Sequence, residues 1–131
     1  MDYKNLFEKF NEGGKLLLPD ATVAFGAIPW SKHPTFEGVA LKHIITSEKT
    51  NGHFSFHLVR IAPNKKIDNH IHEKQLETHE VISGAGICVN NGAKLPYEAG
   101  VISIFPVGVP HEVIAGEDGL YLFAKFMPAL C

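Results

Sequence analysis

His70 and His72 stand one residue apart, Glu77 follows closely, and His111 lies behind the Pro106-Val107-Gly108 turn. Side chains at i and i+2 of a strand point to one face, ~7 Å apart, so His70 and His72 can aim two imidazoles at one point. A short turn over Glu73-Lys74-Gln75-Leu76 would send the chain back beside itself, and Glu77 would open the returning strand with its carboxylate toward the same point. One hairpin would then carry two nitrogen ligands and one oxygen ligand. His111 would complete a four-ligand set if the fold brings it close. Imidazole suits zinc, copper, iron and nickel, and the carboxylate extends the choice to manganese.

Other residues could act around such a site. His79 follows Glu77 by two, so strand parity puts it on the same inward face, as a group that orients Glu77, a general base or polar lining. His57 could also face in from an earlier strand. Glu80 points away from Glu77 by the same parity, toward the surface or an interface. Lys125 interrupts the apolar run Leu120 to Phe126. Its stem can lie on apolar surface while the amine reaches water; an anion anchor inside the pocket is the sharper alternative. His33, His43 and His53 read as ordinary polar residues, His53 solvated beside the Asn51-Gly52 turn.

These side chains must be held by strands. Thr22 to Ile28, Val39 to Thr46, His53 to Ile61, Val81 to Val89, Val101 to Phe105, Val113-Ile114 and Leu120 to Phe126 are apolar or alternating runs. Turn residues part them at Lys49-Thr50-Asn51-Gly52, Ala62-Pro63-Asn64, Asn90-Asn91-Gly92 and Gly116-Glu117-Asp118-Gly119. Asn-Gly between alternating runs is a strong hairpin cue, and many short, closely spaced strands point to a sandwich, barrel or jelly roll. One helix precedes them. Asp2 could cap it, Leu6, Phe7 and Phe10 repeat at helical spacing, and Gly13-Gly14 would end it in the left-handed conformation that glycine adopts cheaply. The division expected is residues 1–20 as helix and arm and 21–131 as barrel, in a single domain overall.

Composition excludes several classes. A chain of 131 residues fits one domain that buries a core without disulfides. The net charge of -2 carries no basic footprint for nucleic acid. No apolar run approaches the ~20 residues that span a bilayer, so no membrane association is expected. Met1-Asp2-Tyr3-Lys4 lacks the plan of a secretion signal, and Cys88 and Cys131 form neither a disulfide scaffold nor a zinc ribbon. The expectation is a cytoplasmic protein with both thiols reduced.

The stretch Asn64 to Gly84 resembles the first cupin motif, G-x5-H-x-H-x3,4-E-x6-G, with His70, His72, Glu77 and Gly84 on its fixed positions. Gly100 to Ala115 resembles the second, G-x5-P-x-G-x2-H-x3-N, through Gly100, Pro106, Gly108 and His111. Asn64 replaces the leading glycine and Ala115 the final asparagine; neither position ligates metal in the family. Asn tolerates a left-handed turn. The resemblance implies an all-β fold, the cupin double-stranded β-helix or jelly-roll barrel, here with a short N-terminal helix. It also implies a divalent transition metal (iron, manganese, nickel or zinc) held by His70, His72, Glu77 and His111.

Three histidines and a glutamate leave positions open on a six-coordinate ion, for Lewis-acid, hydroxide-generating or substrate-orienting roles. The expected function is a metal-dependent enzyme, first a dioxygenase-type oxidoreductase, acting on a small metabolite that chelates the metal. The alternative is a non-catalytic cupin module that binds or senses a small molecule; an isomerase is the other enzymatic option. A homodimer is expected too, because Leu6, Phe7, Phe10 and Phe25 look too many for one small barrel to bury and a strand edge needs protection. The ligand assignment predicts that His72→Ala abolishes most metal binding while the barrel stays folded. Metal analysis and circular dichroism of the purified variant check this, and retained stoichiometric metal would refute it.

Overall fold

The computed structural model describes residues 3–131; Asp2, expected to cap the helix, lies outside them. Helix α1 (Tyr3–Gly13) is followed by β1 (Lys15–Leu17), β2 (Thr22–Ala24), a 3-10 turn (Phe25–Ala27), β3 (Ser31–Lys32), β4 (Val39–Ile45) and the single turn α2 (Ser47–Thr50). The remaining strands are β5 (Ser55–Ile61), β6 (Lys66–His70), β7 (Leu76–Asn90), β8 (Ala93–Glu98), β9 (Ile102–Phe105) and β10 (His111–Met127). The mostly antiparallel β architecture with a short N-terminal helix agrees with the reading from sequence. Among the described residues, no helix is long and apolar enough to cross a membrane.

β1 and β2 form a small hairpin of their own, which bridges residue 20. The other eight strands form one sheet in the order β3-β4-β5-β10-β7-β8, with β6 also on β10 and β9 also on β7. β7 and β10 carry the barrel because each serves two walls. β10 pairs through His111–Ala115 with one half of β7 and through Leu120–Met127 with the other half, skipping register between Ala115 and Leu120. The Gly116–Gly119 stretch is thus a bulge within one continuous strand, where the sequence suggested a turn between two. At that corner Gly84 has φ 81°. A Cβ on Gly84 would stand 2.2 Å from the Gly119 carbonyl oxygen. Both the backbone angle and the space demand glycine.

Apolar side chains divide between the two faces of the curved sheet. Val59, Ile61, Tyr97, Phe105, Val113, Leu122 and Phe126 fill the barrel. Phe7, Phe25, Ile44, Leu58 and Ile82 form a second cluster outside it. Strand parity explains the split along β10, where Leu122, Ala124 and Phe126 are buried inside while Tyr121 and Phe123 meet the helix outside. The ring of Phe7 lies 4.9 Å from Tyr121, and Phe10 meets Phe123 edge-on at 5.0 Å. Lys42, itself buried, ties this layer down: its amine donates to the carbonyls of Phe25 and Asn11.

Several local expectations change. Gly13 and Gly14 end α1, yet neither has a positive φ. Gly14 is required by contact instead, since a Cβ there would stand 2.4 Å from both the Phe10 carbonyl and the Phe25 ring. The run Thr22 to Ile28 is strand only to Ala24, because the chain coils at Phe25 to drive that ring under the helix. Phe7 and Phe25 are 1% and 6% exposed, so this chain buries two of the residues from which a dimer was argued. Lys125 does not enter the barrel: it pairs with Glu80 and lies over Phe56 on the outer face.

α1 is therefore part of the folded unit rather than an appendage. Phe7→Ala is expected to destabilise the protein by about 3–5 kcal/mol, the usual cost of emptying a buried phenylalanine site. Urea unfolding followed by tryptophan fluorescence measures it through Trp30, which packs against Phe7.

Candidate metal centre

His70 ends β6, His72 lies two residues beyond it, Glu77 and His79 sit at the start of β7, and His111 opens β10. The single hairpin drawn from the sequence is not what joins them. β6 pairs with β10, and so does β7, while β6 and β7 do not pair with each other. The segment from Ile71 to Gln75 instead crosses between the two flanks of β10. His70 faces His111 in the β6–β10 register, and Glu77 faces Phe126 further along β10. The second motif also holds the first in place. Gly108, with φ 78°, donates its N–H to the carbonyl of His72 at 2.9 Å.

One ligand atom each from His70, His72, Glu77 and His111 lies within 4.8 Å of all the others. Atoms bound to a common ion at ~2.1 Å are at most ~4.2 Å apart, so small side-chain adjustments close the group on one ion. Hydrogen bonding settles which nitrogens face inward. His70 Nδ1 donates to the Asp68 carbonyl at 2.8 Å and His111 Nδ1 to the Val109 carbonyl at 3.0 Å. A carbonyl oxygen only accepts, so each Nδ1 holds a proton and a neutral ring presents its Nε2 lone pair to the site. Such carbonyl partners are the usual way a metal-binding histidine is oriented.

His111 Nε2 lies 2.9 Å from Glu77 Oε1, and His72 Nε2 lies 3.3 Å from the same oxygen. A neutral His111 has no hydrogen to place in that contact. It needs either an imidazolium or a cation seated between the two atoms. The donor set therefore fits a transition metal on its own chemistry.

Glu77 is 5% exposed. Burial alone would raise its carboxyl, but the His79 imidazole and close contacts with His111, His72 and His79 outweigh this and hold it well below the usual carboxylate range. His79 occupies the place that parity assigned to it. Its Nε2 is 2.9 Å from Glu77 Oε2 and its Nδ1 3.0 Å from the Tyr97 hydroxyl. Burial pushes the Tyr97 phenol far above its ordinary value, so it keeps its proton. With neutral His79 the phenol donates to Nδ1, and the Nε2–H donates to Glu77. Phe105 fixes both histidine planes, stacked on His111 at 4.1 Å and edge-on to His79 at 4.8 Å.

Beside these residues opens a cavity of about 470 Å³, within the ~300–1,000 Å³ range of small-molecule sites. Phe36, Leu41, Val59, Ile67 and Phe126 supply its apolar wall. His33 and His43 also line it, contrary to their reading as ordinary polar residues. His33 Nδ1 accepts the amides of Thr35 and Phe36, so its neutral ring carries the proton on Nε2. Burial, with the proximity of His72, lowers the pKa of His33. Burial likewise lowers His43 and, with opposing contributions, His70. His57 is fully buried inside, behind His43, and His53 is exposed as expected.

Tyr97 escaped the sequence reading although its signal was present. Asn91 and Gly92 have φ 50° and 85°, the geometry of a two-residue hairpin turn. Such a turn fixes register, and the returning strand then sets Tyr97 opposite Gly86. Pro96 hid that strand; proline is tolerated there because β8 lies at the sheet edge.

An antiparallel jelly-roll barrel with three histidines and a glutamate at its mouth defines a cupin-type protein. The cupin domain model matches residues 57–123, just over half of the chain, and the protein belongs to the cupin family. No curated protein matches its sequence. Similar solved structures include a predicted oxalate decarboxylase from Thermotoga maritima, at TM-score 0.72 and 21% identity over 79% of this chain and 95% of that one. KdgF from a Halomonas species gives TM-score 0.67 at 19% identity over 76% and 86%. The polyketide cyclase RemF from Streptomyces resistomycificus gives 0.69 at 19% identity over 81% and 77%. At these identities the likeness is one of fold.

His57 makes the metal-free protein sensitive to acid. Burial first and His43 second lower its pKa to about 4, with Glu77 opposing. Above pH ~6.5 both folded and unfolded forms are neutral at this ring. As pH falls from there toward 4 only the unfolded chain takes up the proton, so stability declines. The expected loss is about 3 kcal/mol over that window, and His57→Gln should flatten it. Denaturant midpoints measured between pH 7 and pH 4 on both proteins are the check.

Proposed function

We propose that the protein is a metal-dependent enzyme of the dioxygenase type, acting on a small metabolite that chelates the metal through an oxygen pair. One observation carries the reading: the inward Nε2 atoms of His70 and His111 converge with His72 on the Glu77 carboxylate at the edge of a largely apolar cavity. His70, His72, Glu77 and His111 would hold the ion. Iron or another redox-active ion there would supply dioxygen chemistry, and any divalent ion would supply Lewis acidity.

The residues around it have separate tasks. Phe36, Ile67 and Phe126 accept an apolar body and exclude water. The Nε2–H of His33 can donate to a ligand oxygen. His79 acts through Glu77, because both of its nitrogens are engaged, to Glu77 and to Tyr97. A histidine so occupied is poorly suited to take a substrate proton, which favours chemistry centred on the ion over proton-shuttling isomerisation. We also propose residues 21–131 as the barrel unit carrying the site, and association through faces left open on this chain, where Ile102 and Ile104 are 72% and 55% exposed.

The test is oxygen uptake by the protein loaded with Fe(II), Mn(II), Ni(II) or Zn(II), against a panel of diols, thiols and keto acids. Uptake coupled to substrate loss in the redox-active forms, and absent in His111→Ala, is the expected result. Saturable ligand binding without turnover under any metal would overturn the enzyme reading and leave a binding module.

A further inference from the structure

His43 on β4 and His57 on β5 are direct register partners. Their Nδ1 atoms are 2.8 Å apart with the rings perpendicular. The thiol of Cys131 joins them: one ligand atom from each of the three residues lies within 4.8 Å of the other two. None of these residues is among the four cupin ligands His70, His72, Glu77 and His111.

The tail that brings Cys131 there is held at three points. Ala129 donates its N–H to the Gly52 carbonyl at 3.1 Å, Leu130 donates to Ser55 Oγ at 2.9 Å, and the Cys131 carbonyl accepts the Ser47 N–H at 2.6 Å. Ser55 is thus a shared anchor, for its Oγ also lies 2.8 Å from His57 Nε2. A serine hydroxyl can accept two hydrogen bonds. When it accepts both the Leu130 amide and the His57 Nε2–H, the Nδ1 of His57 is left as a bare lone pair beside His43 Nδ1 and the thiol. Two facing lone pairs and a sulfur are a ligand set, whereas without an ion the imidazole contact needs a proton of its own.

We propose that His43, His57 and Cys131 form a second metal site, selective for a thiophilic d10 ion, zinc foremost. Imidazole nitrogen and thiolate sulfur are both donors that zinc takes in tetrahedral sites, and thiolate disfavours the hard ions that carboxylates accept. Three protein ligands leave one tetrahedral position for water or a ligand atom. The two sites share surroundings: Phe126 contacts both His57 and His72, and His43 and Leu130 line the same cavity as His70 and His72. An ion held here pins the tail whose Leu130 forms part of the cavity wall.

Cobalt(II) and zinc titrations of the full chain test the site. Cys88 is fully buried and Cys131 exposed, so a native-state thiol reagent reads Cys131. The expected result is two bound equivalents of cobalt in the wild type, with a thiolate-to-cobalt charge-transfer band, and zinc protection of Cys131 from alkylation. Cys131→Ser should lose the band and one equivalent, and His43→Ala should lose the protection. His72→Ala should keep both band and protection, which separates this site from the cupin centre. Undiminished alkylation of Cys131 in zinc-saturated wild type, or two equivalents of unchanged affinity in Cys131→Ser, would overturn the proposal.

Discussion

The buried carboxylate of Glu77 is the constraint around which the rest is arranged. A lone charge in a protein interior costs several kcal/mol, and removing one member of a buried pair is strongly destabilising. Here His72, His79 and His111 all reach the two carboxylate oxygens. Each of those rings must be held in turn. His111 is held by the Val109 carbonyl, His79 by the Tyr97 hydroxyl, and the His72 backbone by the Gly108 amide. These partners make one connected polar network inside an apolar barrel, and such a network rewards complete satisfaction.

The barrel exists to make that network possible. β7 and β10 each supply residues to both halves of the wall, and β10 brings its first residue, His111, to the same mouth as Glu77 near the start of β7. The fold allows this because the strands turn a corner where Gly84 and Gly119 are nearly in contact. Outside, α1 and the turn at Phe25 cover the convex side with a separate apolar layer. The site end is therefore left to the polar groups and the cavity. That division of labour suits a cup whose floor must be stiff while its mouth admits a ligand.

The cupin fold hosts many chemistries, so the side chains at the mouth must decide which one operates. The cavity is apolar on most of its wall and lined with several histidines, and among the described residues Glu77 is its one carboxylate. Burial holds His33, His43 and His70 below their ordinary pKa values, which keeps their lone pairs available near neutral pH. The surroundings favour ligands that bring oxygen donors and negative charge to a cation. The His43–His57–Cys131 group adds softer donors, reaching the same space through His43, a combination the cupin motifs do not contain.

The sequence by itself determined the four convergent residues, the barrel class and several turns, because these depend on short-range rules. Spacing in the two motifs places His70, His72, Glu77 and His111, and Asn64, at a position where a left-handed turn was expected to be tolerated, has a positive φ. Strand parity placed His79 beside Glu77. Tertiary structure decided what parity cannot reach. It showed that β6 and β7 meet through β10 rather than as a hairpin, since strand neighbours are set by the topology of the whole sheet. It buried Phe7 and Phe25 against the barrel's outer face, a surface that exists only once the sheet has curved. It also gathered His33, His43, His57, Tyr97 and Cys131 around one interior from five separate segments. Each of these is unremarkable in its own stretch of chain, and only the three-dimensional path supplies its chemical neighbours.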